Sequence, residues 1–253
     1  MDLGLKNKRA IVTGGTRGIG RAIVDLFAAE GADVAFCARD GAAAEAAAQE
    51  VAAASGVKAI GAEVDIADHD RLAAWIGEAV DALGGLDALV VNASALALGG
   101  NVDAFRKCFE VDVLGLVVAG EAALPALKAS GAGSIVAISS VSAVERSDMQ
   151  AYGAMKAAQV PIAKGWAVEH AGVNVRANVV SPGTIEFEGG VWGMAKEHAP
   201  KMYEDALARN PMGRMGGPEE IARAAVFLSS PAASFVTGTN MIVDGAITRR
   251  VQL

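Results

Sequence analysis

The chain has 253 residues, of which 53% are hydrophobic and 20% are charged, and its formal net charge is −7 at pH 7. This length is sufficient to bury a large core, and one α/β domain of this size is ordinary. The acidic balance argues against a nucleic-acid or anionic-membrane partner, because both are bound through basic patches.

Cysteines, histidines and apolar runs exclude further classes of protein. Cys37 and Cys108 are the only cysteines and lie in apolar stretches, so we expect buried free thiols rather than a disulfide. The three histidines lack the spacing of metal ligands, so we expect no metal site. No apolar run approaches the roughly 20 residues that span a bilayer, and the first residues lack a signal-peptide pattern. The sequence therefore predicts a soluble, cytoplasmic protein.

A glycine-rich loop follows the first predicted strand. Residues Arg9–Thr13 are mostly apolar, and residues 14–20 lead into an amphipathic helix that ends near Gly31. A strand, a glycine loop and a helix in this order can cradle phosphates, because the helix N-terminus offers free N–H groups. A plain turn would need one glycine, whereas this loop has four. The loop residues that we expect to contact a dinucleotide are Gly14, Thr16, Arg17, Gly18, Ile19 and Gly20.

Strands and helices alternate along the rest of the chain. Further strands are predicted at residues 33–38, 57–64, 86–91, 134–138, 173–180 and 240–243. Helices are predicted at 41–54, 68–83 and 103–130 (interrupted near Pro125), through Tyr152 to residue 172, and from 218. This alternation predicts a single Rossmann-type domain over residues 1–253, with a doubly wound parallel sheet of about seven strands and helices on both faces. Residues 181–217 are expected to be irregular, with 184–217 forming a substrate lid.

Polar residues and glycines gather where these strands end. The glycine loop, Asp65, Asn92, Ser140 and Pro182-Gly183 each follow the end of a predicted strand. Because the carboxyl ends of parallel strands form the ligand edge of an α/β sheet, we expect these residues to line one cleft.

Tyr152 and Lys156 lie four residues apart on a predicted helix and therefore share one face. An ammonium group beside a phenol favours the phenolate, so such a pair can exchange a proton with an alcohol or carbonyl. Taken alone, this spacing is common and usually marks a solvated helix face. Its position after the fifth strand, which ends beside Ser140, favours the catalytic interpretation.

In combination, these motifs resemble the short-chain dehydrogenase/reductase family over essentially the whole chain. Thr13-Gly14-x-x-x-Gly18-x-Gly20 resembles its cofactor loop, Asp65 its adenine-contacting acid, and Asn92-Ala93 the core of its Asn-Asn-Ala-Gly motif. The resemblance implies NAD(P)-dependent hydride transfer on a carbonyl or alcohol, and a homotetramer. It also implies cofactor contacts from Asp65, Ile66, Asn92, Ala93, Ser94, Tyr152, Lys156, Pro182, Gly183, Thr184 and Ile185.

The resemblance also implies catalytic roles for Ser140, Tyr152 and Lys156. Tyr152 is the expected proton donor in reduction and the base in oxidation, and Lys156 is expected to assist it and to bind the nicotinamide ribose. Ser140 is expected to stabilise the developing alkoxide. Ser139 and Ser142 are alternatives to it. The expected substrate contacts are Ser140, Ser142, Tyr152 and Trp192.

The chain departs from the family pattern at Asp112. The family usually has an asparagine here, which holds a water between the catalytic lysine and solvent. Asp112 could accept a hydrogen bond from that water or from Lys156, so we count it among the catalytic residues and expect a working proton relay with a shifted pH optimum. The alternative is that Asp112 is a solvated helix residue. Val91 and Ser94 also replace the outer residues of the Asn-Asn-Ala-Gly motif.

The end of the second strand bears on the choice of cofactor. Arg39 follows this strand and Arg17 belongs to the glycine loop, so two guanidinium groups could converge on a ribose 2′-phosphate. The alternative is that Asp40 binds the ribose hydroxyls of NAD. We favour NADP(H).

The substrate side of the cleft is predicted from apolar residues. Residues 95–98, 144–146 (including Arg146) and 186–203 would line it, and Trp192, Met194, Tyr203 and Met212 indicate an apolar or aromatic ketone or alcohol. Equally, these residues could pack beneath a lid. Glu186 and Glu188 argue weakly against an anionic substrate. A catalytically weak NAD(P)-binding sensor or scaffold is the alternative function.

Overall fold

Seven parallel strands form the single sheet of the computed structural model, which describes residues 2–145 and 148–251. Their order across the sheet is β3-β2-β1-β4-β5-β6-β7. The strands are β1 (Arg9–Thr13), β2 (Asp33–Ala38), β3 (Ala59–Glu63), β4 (Ala88–Val91), β5 (Gly133–Ile138), β6 (Val175–Pro182) and β7 (Asn240–Val243). The predicted doubly wound sheet of seven strands is confirmed. Arg146 lies outside the described residues.

Helices cover both faces of the sheet. In chain order they are α1 (Gly18–Ala29), α2 (Gly41–Ser55), α3 (His69–Leu83), α4 (Val102–Cys108), α5 (Gly115–Ala129), α6 (Ala151–His170), α7 (Val191–His198), α8 (Pro200–Ala208) and α9 (Pro218–Ser229). Helices α1, α2 and α9 pack their apolar residues against one face, and α3, α5 and α6 against the other. The two apolar layers hold the strand ends, and therefore the residues that follow them, in fixed positions.

A π-helical turn, Phe109–Leu114, separates α4 from α5. The predicted interruption near Pro125 is wrong, because α5 runs through this residue. Pro125 is exposed on the solvent side of α5, where the loss of one main-chain hydrogen bond is tolerated. The π-helical turn at residues 109–114 displaces the main-chain hydrogen-bond pattern by one residue. Such turns are frequent at functional sites.

The segment predicted to be irregular contains regular structure. Strand β6 extends to Pro182, because Ser181 and Pro182 pair with residues of β7. The short helices α7 and α8 follow, and Pro200 begins α8, where its fixed φ angle suits the first turn. The prediction missed these elements because strand pairing and short-helix packing depend on tertiary contacts.

Cys37 and Cys108 are both buried and unpaired, as predicted. Burial raises the pKa of the Cys37 thiol to about 12, so this thiol remains protonated and unreactive near pH 7. Over residues 2–145 and 148–251, no helix is long and apolar enough to cross a membrane, and no cluster of three or more acidic, cysteine or histidine side chains could hold a metal ion.

Candidate active site

A cleft of about 790 Å³ opens at the carboxyl ends of the strands. It reaches the point between β1 and β4 where the chain reverses its direction across the sheet, which is where doubly wound folds bind ligands. The predicted site residues that line it are Gly14, Thr16, Arg17, Ile19, Gly20, Arg39, Asp65, Ile66, Asn92, Ala93, Ser94, Ser140, Tyr152, Lys156, Pro182, Gly183, Ile185 and Trp192.

Four predicted site residues do not line this cleft. Gly18 lies beneath the ring of Phe187, which a Cβ at this position would meet at 2.5 Å. Thr184 lines a separate, smaller cavity and contacts Asn210. Ser142 donates its main-chain N–H to Ser140 Oγ at 3.1 Å, and its main-chain oxygen lies close to Gly153, which follows Tyr152. Asp112 is buried.

Asn92 fixes the shape of the glycine loop. Its Nδ2 donates to the main-chain oxygens of Thr13 at 3.1 Å and Gly14 at 3.0 Å. Gly14 has a φ angle of 71°, which favours glycine. A Cβ on Gly20 would collide with the main-chain oxygen of Gly14, so this position also requires glycine. The loop is thus bound to the ends of β1 and β4, and the N-terminus of α1 faces the cleft.

Lys156 is buried and its ammonium group is held on two sides. Its Nζ donates to the main-chain oxygen of Ile138 at 2.8 Å and lies 3.1 Å from Asp112 Oδ1. The same nitrogen lies 5.8 Å from the centroid of the Tyr152 ring. The pair predicted from helical spacing therefore shares one face at the cleft, with the cation close to the phenol.

Asp112 is not the solvated residue of the alternative interpretation, because its side chain is 0% exposed. Its Oδ2 accepts a hydrogen bond from the main-chain N–H of Ala95 at 3.2 Å. Its Oδ1 accepts no aligned hydrogen bond from the described residues, so its contact with Lys156 is chiefly electrostatic. A buried carboxylate requires such a cationic partner.

Gln159 is a polar contact that the sequence analysis missed. It lies one helical turn beyond Lys156, is 1% exposed, and donates from Nε2 to the main-chain oxygen of Asp112 at 2.7 Å. The signal that could have indicated it is a glutamine on the buried face of α6.

The two serines after β5 make different contacts. Ser139 donates its hydroxyl to the main-chain oxygen of Lys156 at 2.8 Å and thereby joins the strand to α6. Ser140 accepts from the Ser142 N–H and donates its hydroxyl hydrogen to none of the described residues, so this hydrogen can bind a ligand. The geometry therefore favours Ser140 over Ser139 as the group that could bind a substrate oxygen.

Arginine side chains border the cleft near the end of β2. Arg39 is exposed and, within the described part of the chain, makes no hydrogen bond or ion pair. The carboxylate of Asp40 accepts from the main-chain N–H of Ala43 at 3.0 Å, so it caps α2. Arg17 reaches towards the main-chain oxygen of Gly189 at 3.5 Å.

A polar cluster joins the two short helices to the sheet edge. Glu186 accepts from Lys196 Nζ of α7 and from the Tyr203 hydroxyl of α8, each at 2.6 Å. The hydrogen bond from Lys196, and then that from Tyr203, lower the pKa of the Glu186 carboxyl. Tyr203 thus contacts Glu186, and Met212 lines the separate cavity. Contrary to the expectation, neither residue lines the main cleft. Val191, Trp192 and Met194 of α7 do.

Known proteins are similar to this chain over nearly its whole length. A family model described as enoyl-(acyl carrier protein) reductase matches residues 14–248. Isoepoxydon dehydrogenase patN of Penicillium expansum is 38% identical over 251 residues, covering 98% of this chain and 97% of that protein. The chain belongs to the short-chain dehydrogenase/reductase family.

Two further members of the short-chain dehydrogenase/reductase family illustrate the similarity. The cis-4-hydroxycyclohexanecarboxylate dehydrogenase of Sinomonas cyclohexanicum is 37% identical over 248 residues, covering 94% of this chain and 96% of that protein. The crystal structure of L-sorbose reductase from Gluconobacter frateurii, complexed with NADPH and L-sorbose, has a TM-score of 0.91 at 28% identity, covering 99% of this chain and all of that one. This protein is therefore an oxidoreductase of the dehydrogenase/reductase type.

The cleft fits the nicotinamide dinucleotide that this family uses. The glycine loop and the N-terminus of α1 offer main-chain N–H groups to a pyrophosphate, and the guanidinium of Arg39, which has no partner among the described residues, lies along the same cleft. Tyr152 and Lys156 line the same cleft as the glycine loop.

Proposed function

We propose that this protein transfers a hydride between NADP(H) and a carbonyl or secondary alcohol whose surroundings are apolar or aromatic. The observation that carries this proposal is the buried ammonium of Lys156, held by Ile138 and Asp112 beside the ring of Tyr152. This arrangement supports a role for the Tyr152 hydroxyl as the group that donates and accepts a proton at a fixed position in the cleft.

Four residues of the cleft and its surroundings have separate roles in this reaction. Tyr152 gives a proton to the substrate oxygen during reduction and accepts one during oxidation. Ser140 donates a hydrogen bond to that oxygen and stabilises its developing charge. Lys156 supplies positive charge beside the phenol, and Asp112 compensates this charge on the buried side. The bound nicotinamide supplies the hydride chemistry.

The preference for NADP(H) is supported by Arg39. An exposed guanidinium without a partner among the described residues is free to bind a phosphate, and charge-assisted contacts of this kind are strong. Asp40, the alternative ligand for the ribose of NAD, instead caps α2. The relative of known structure that carries NADPH is consistent with this preference.

An apolar substrate is supported by the apolar side chains that line part of the cleft. Leu96, Val191, Trp192 and Met194 line it, and Leu96 and Met194 are 46% and 53% exposed. Glu186 carries less weight against an anionic substrate than the sequence indicated, because Lys196 and Tyr203 already bind its carboxylate. Since one relative acts on a hydroxycyclohexanecarboxylate, cyclic secondary alcohols are the first substrates to test.

The function is tested in two steps on the full chain. We expect NADPH to raise the melting temperature more than NADH does at the same concentration, because only NADPH offers Arg39 a ribose 2′-phosphate. We then expect NADPH oxidation with at least one ketone of a panel containing cyclic, aromatic and short aliphatic members. Cofactor binding without turnover of any member would favour the alternative, a catalytically weak sensor or scaffold.

We also propose a cytoplasmic homotetramer. Two buried, unpaired cysteines suit a reducing compartment. Phe109 on the π-helical turn and Val168 on α6 are 43% and 71% exposed, and a subunit interface would bury such side chains. Sedimentation should give the mass of four chains, whereas a monomer would contradict this assembly.

A further inference from the structure

The π-helical turn and α6 meet at a buried polar contact that the chemistry above does not use. Gln159 Nε2 donates to the main-chain oxygen of Asp112, while Gln159 Oε1 is buried and has no partner among the residues that the structure describes. An unpaired buried amide oxygen costs free energy, which an apolar side chain would avoid. The presence of glutamine at this position therefore indicates that the hydrogen bond from Gln159 Nε2 to Asp112 contributes to stability or function.

Lys156 and Gln159 lie three residues apart and contact the same residue from one face of α6. Lys156 approaches the carboxylate of Asp112, and Gln159 binds its main-chain oxygen. Because the π-helical turn departs from the regular helix, the position of Asp112 depends on outside contacts as well as on its own main-chain hydrogen bonds. A shift of Asp112 would change the contact with the ammonium group.

We propose that Gln159 is a positioning residue that acts on Lys156 through Asp112. By holding the main-chain oxygen of Asp112, it keeps the carboxylate 3.1 Å from Lys156 Nζ, and so keeps the ammonium in place beside Tyr152. This inference rests on the proposed function, because it assigns Lys156 a part in proton transfer.

A double-mutant cycle in the full-length enzyme tests the route through Asp112. Gln159→Met keeps a similar volume but cannot donate, and it should lower kcat about tenfold while KM and the Kd for NADPH stay within about twofold. In the Asp112→Asn background, the same substitution should lower kcat by less than about twofold, since the contact that it supports is already changed. Equal losses in both backgrounds would overturn the proposal.

Ser134→Ala is the matched control, because Ser134 is also buried and donates to a main-chain oxygen, that of Leu228, far from Lys156. It should lower the melting temperature without lowering kcat. If Gln159→Met affects only the melting temperature, as this control should, Gln159 is merely structural and the proposal fails. Gln159→Leu replaces Gln159→Met if the latter does not fold.

A measurement that needs no turnover separates this proposal from the proposed function. With NADPH present, Gln159→Met should accelerate amide hydrogen exchange of residues 109–115 at least about fivefold, and Ser134→Ala should not. Unchanged exchange would overturn the role of Gln159 even in an active enzyme. Accelerated exchange in a protein that never turns over a substrate would instead support the hold on Asp112 and reject the proposed function.

Discussion

Among single residues, the arrangement around Lys156 decides what the site can do. Its ammonium group is buried against one carboxylate and one main-chain oxygen, and the ring of Tyr152 lies on its cleft side. Removing one member of a buried ion pair costs several kcal/mol, typically about 3–5, because the other charge is left uncompensated. Loss of Asp112 should therefore destabilise the folded protein as well as affect the proposed proton transfer.

The proposed preference for NADP(H) is tested at one side chain, that of Arg39. Arg39→Asp should lower the kcat/KM ratio of NADPH to NADH about 10- to 100-fold, because a carboxylate repels the 2′-phosphate and accepts from ribose hydroxyls. Steady-state kinetics with both cofactors measure this ratio.

Lys6→Asp serves as the control for that change of charge. Lys6 is exposed and precedes β1, so it lies at the opposite edge of the sheet. The ratio should stay the same in this variant. An unchanged ratio in Arg39→Asp would contradict the phosphate-binding interpretation.

At the level of the elements, the cluster around Glu186 holds α7 and α8 against the sheet edge. Glu186→Gln should weaken this hold, so amide exchange in residues 191–208 should rise about two- to tenfold at pH 7, with a smaller rise in substrate KM. Hydrogen exchange followed by mass spectrometry measures it. Glu188→Gln is the control, since the exposed side chain of Glu188 makes no hydrogen bond or ion pair with the described residues.

The contacts of Glu186 with Lys196 and Tyr203 depend on pH, and the directions in which the pKa values of Glu186 and Tyr203 are shifted predict how. The pKa of Glu186 is lowered by Lys196 and then Tyr203, so its contribution is present above the ordinary glutamate value of about 4.3 and is lost as pH falls through the folded-state pKa. The pKa of Tyr203 is raised, chiefly by Glu186, so its contribution disappears at high pH. Protection of residues 191–208, taken as the ratio of the intrinsic to the observed exchange rate in the unmodified protein, should therefore be greatest between about pH 5 and pH 10.

The sequence predicted the strands and the cleft edge because these depend on local signals. Apolar runs ending in glycine or polar residues identified β1 with its loop and β5 with Ser140. The π-helical turn and helices α7 and α8 were missed, because packing against other elements stabilises them. Asp112 was recognised from its departure from a motif, but its contact with Gln159 requires two elements to be placed together in space.

Considered as a whole molecule, the sheet has a cluster of ion pairs at the edge opposite the cleft. The proposed functional residues lie at the carboxyl ends of the strands, whereas Asp87 joins Lys8 and Arg9 at the opposite edge. The side chain of Asp87 is 8% exposed. Burial opposes its ionisation, but hydrogen bonds from Arg9 and Lys8 outweigh this effect and lower the pKa of the Asp87 carboxyl.

Asp87→Asn should therefore lower the free energy of unfolding by about 1–3 kcal/mol at pH 7. Since the folded-state pKa is depressed, this contribution is present above the ordinary aspartate value of about 3.9 and is lost as pH falls through the folded value. Urea unfolding at several pH values should show the two proteins converging in acid.

Asp25→Asn is the control for that experiment, because Asp25 forms an exposed ion pair with Arg21 within α1. It should change the free energy of unfolding by less than about 0.5 kcal/mol. A difference between Asp87→Asn and the unmodified protein that is independent of pH would contradict the role of ionised Asp87.

The most direct test of the proposed chemistry is the turnover of Tyr152→Phe, which lacks only the phenolic oxygen. Its kcat should fall by about 100- to 10,000-fold, while the Kd for NADPH stays within about twofold. Tyr203→Phe is the matched control, since Tyr203 is the other of the two tyrosines and its hydroxyl donates to Glu186. That variant should keep kcat within about threefold. Turnover retained by Tyr152→Phe would contradict proton transfer by Tyr152, and with it the account of this site.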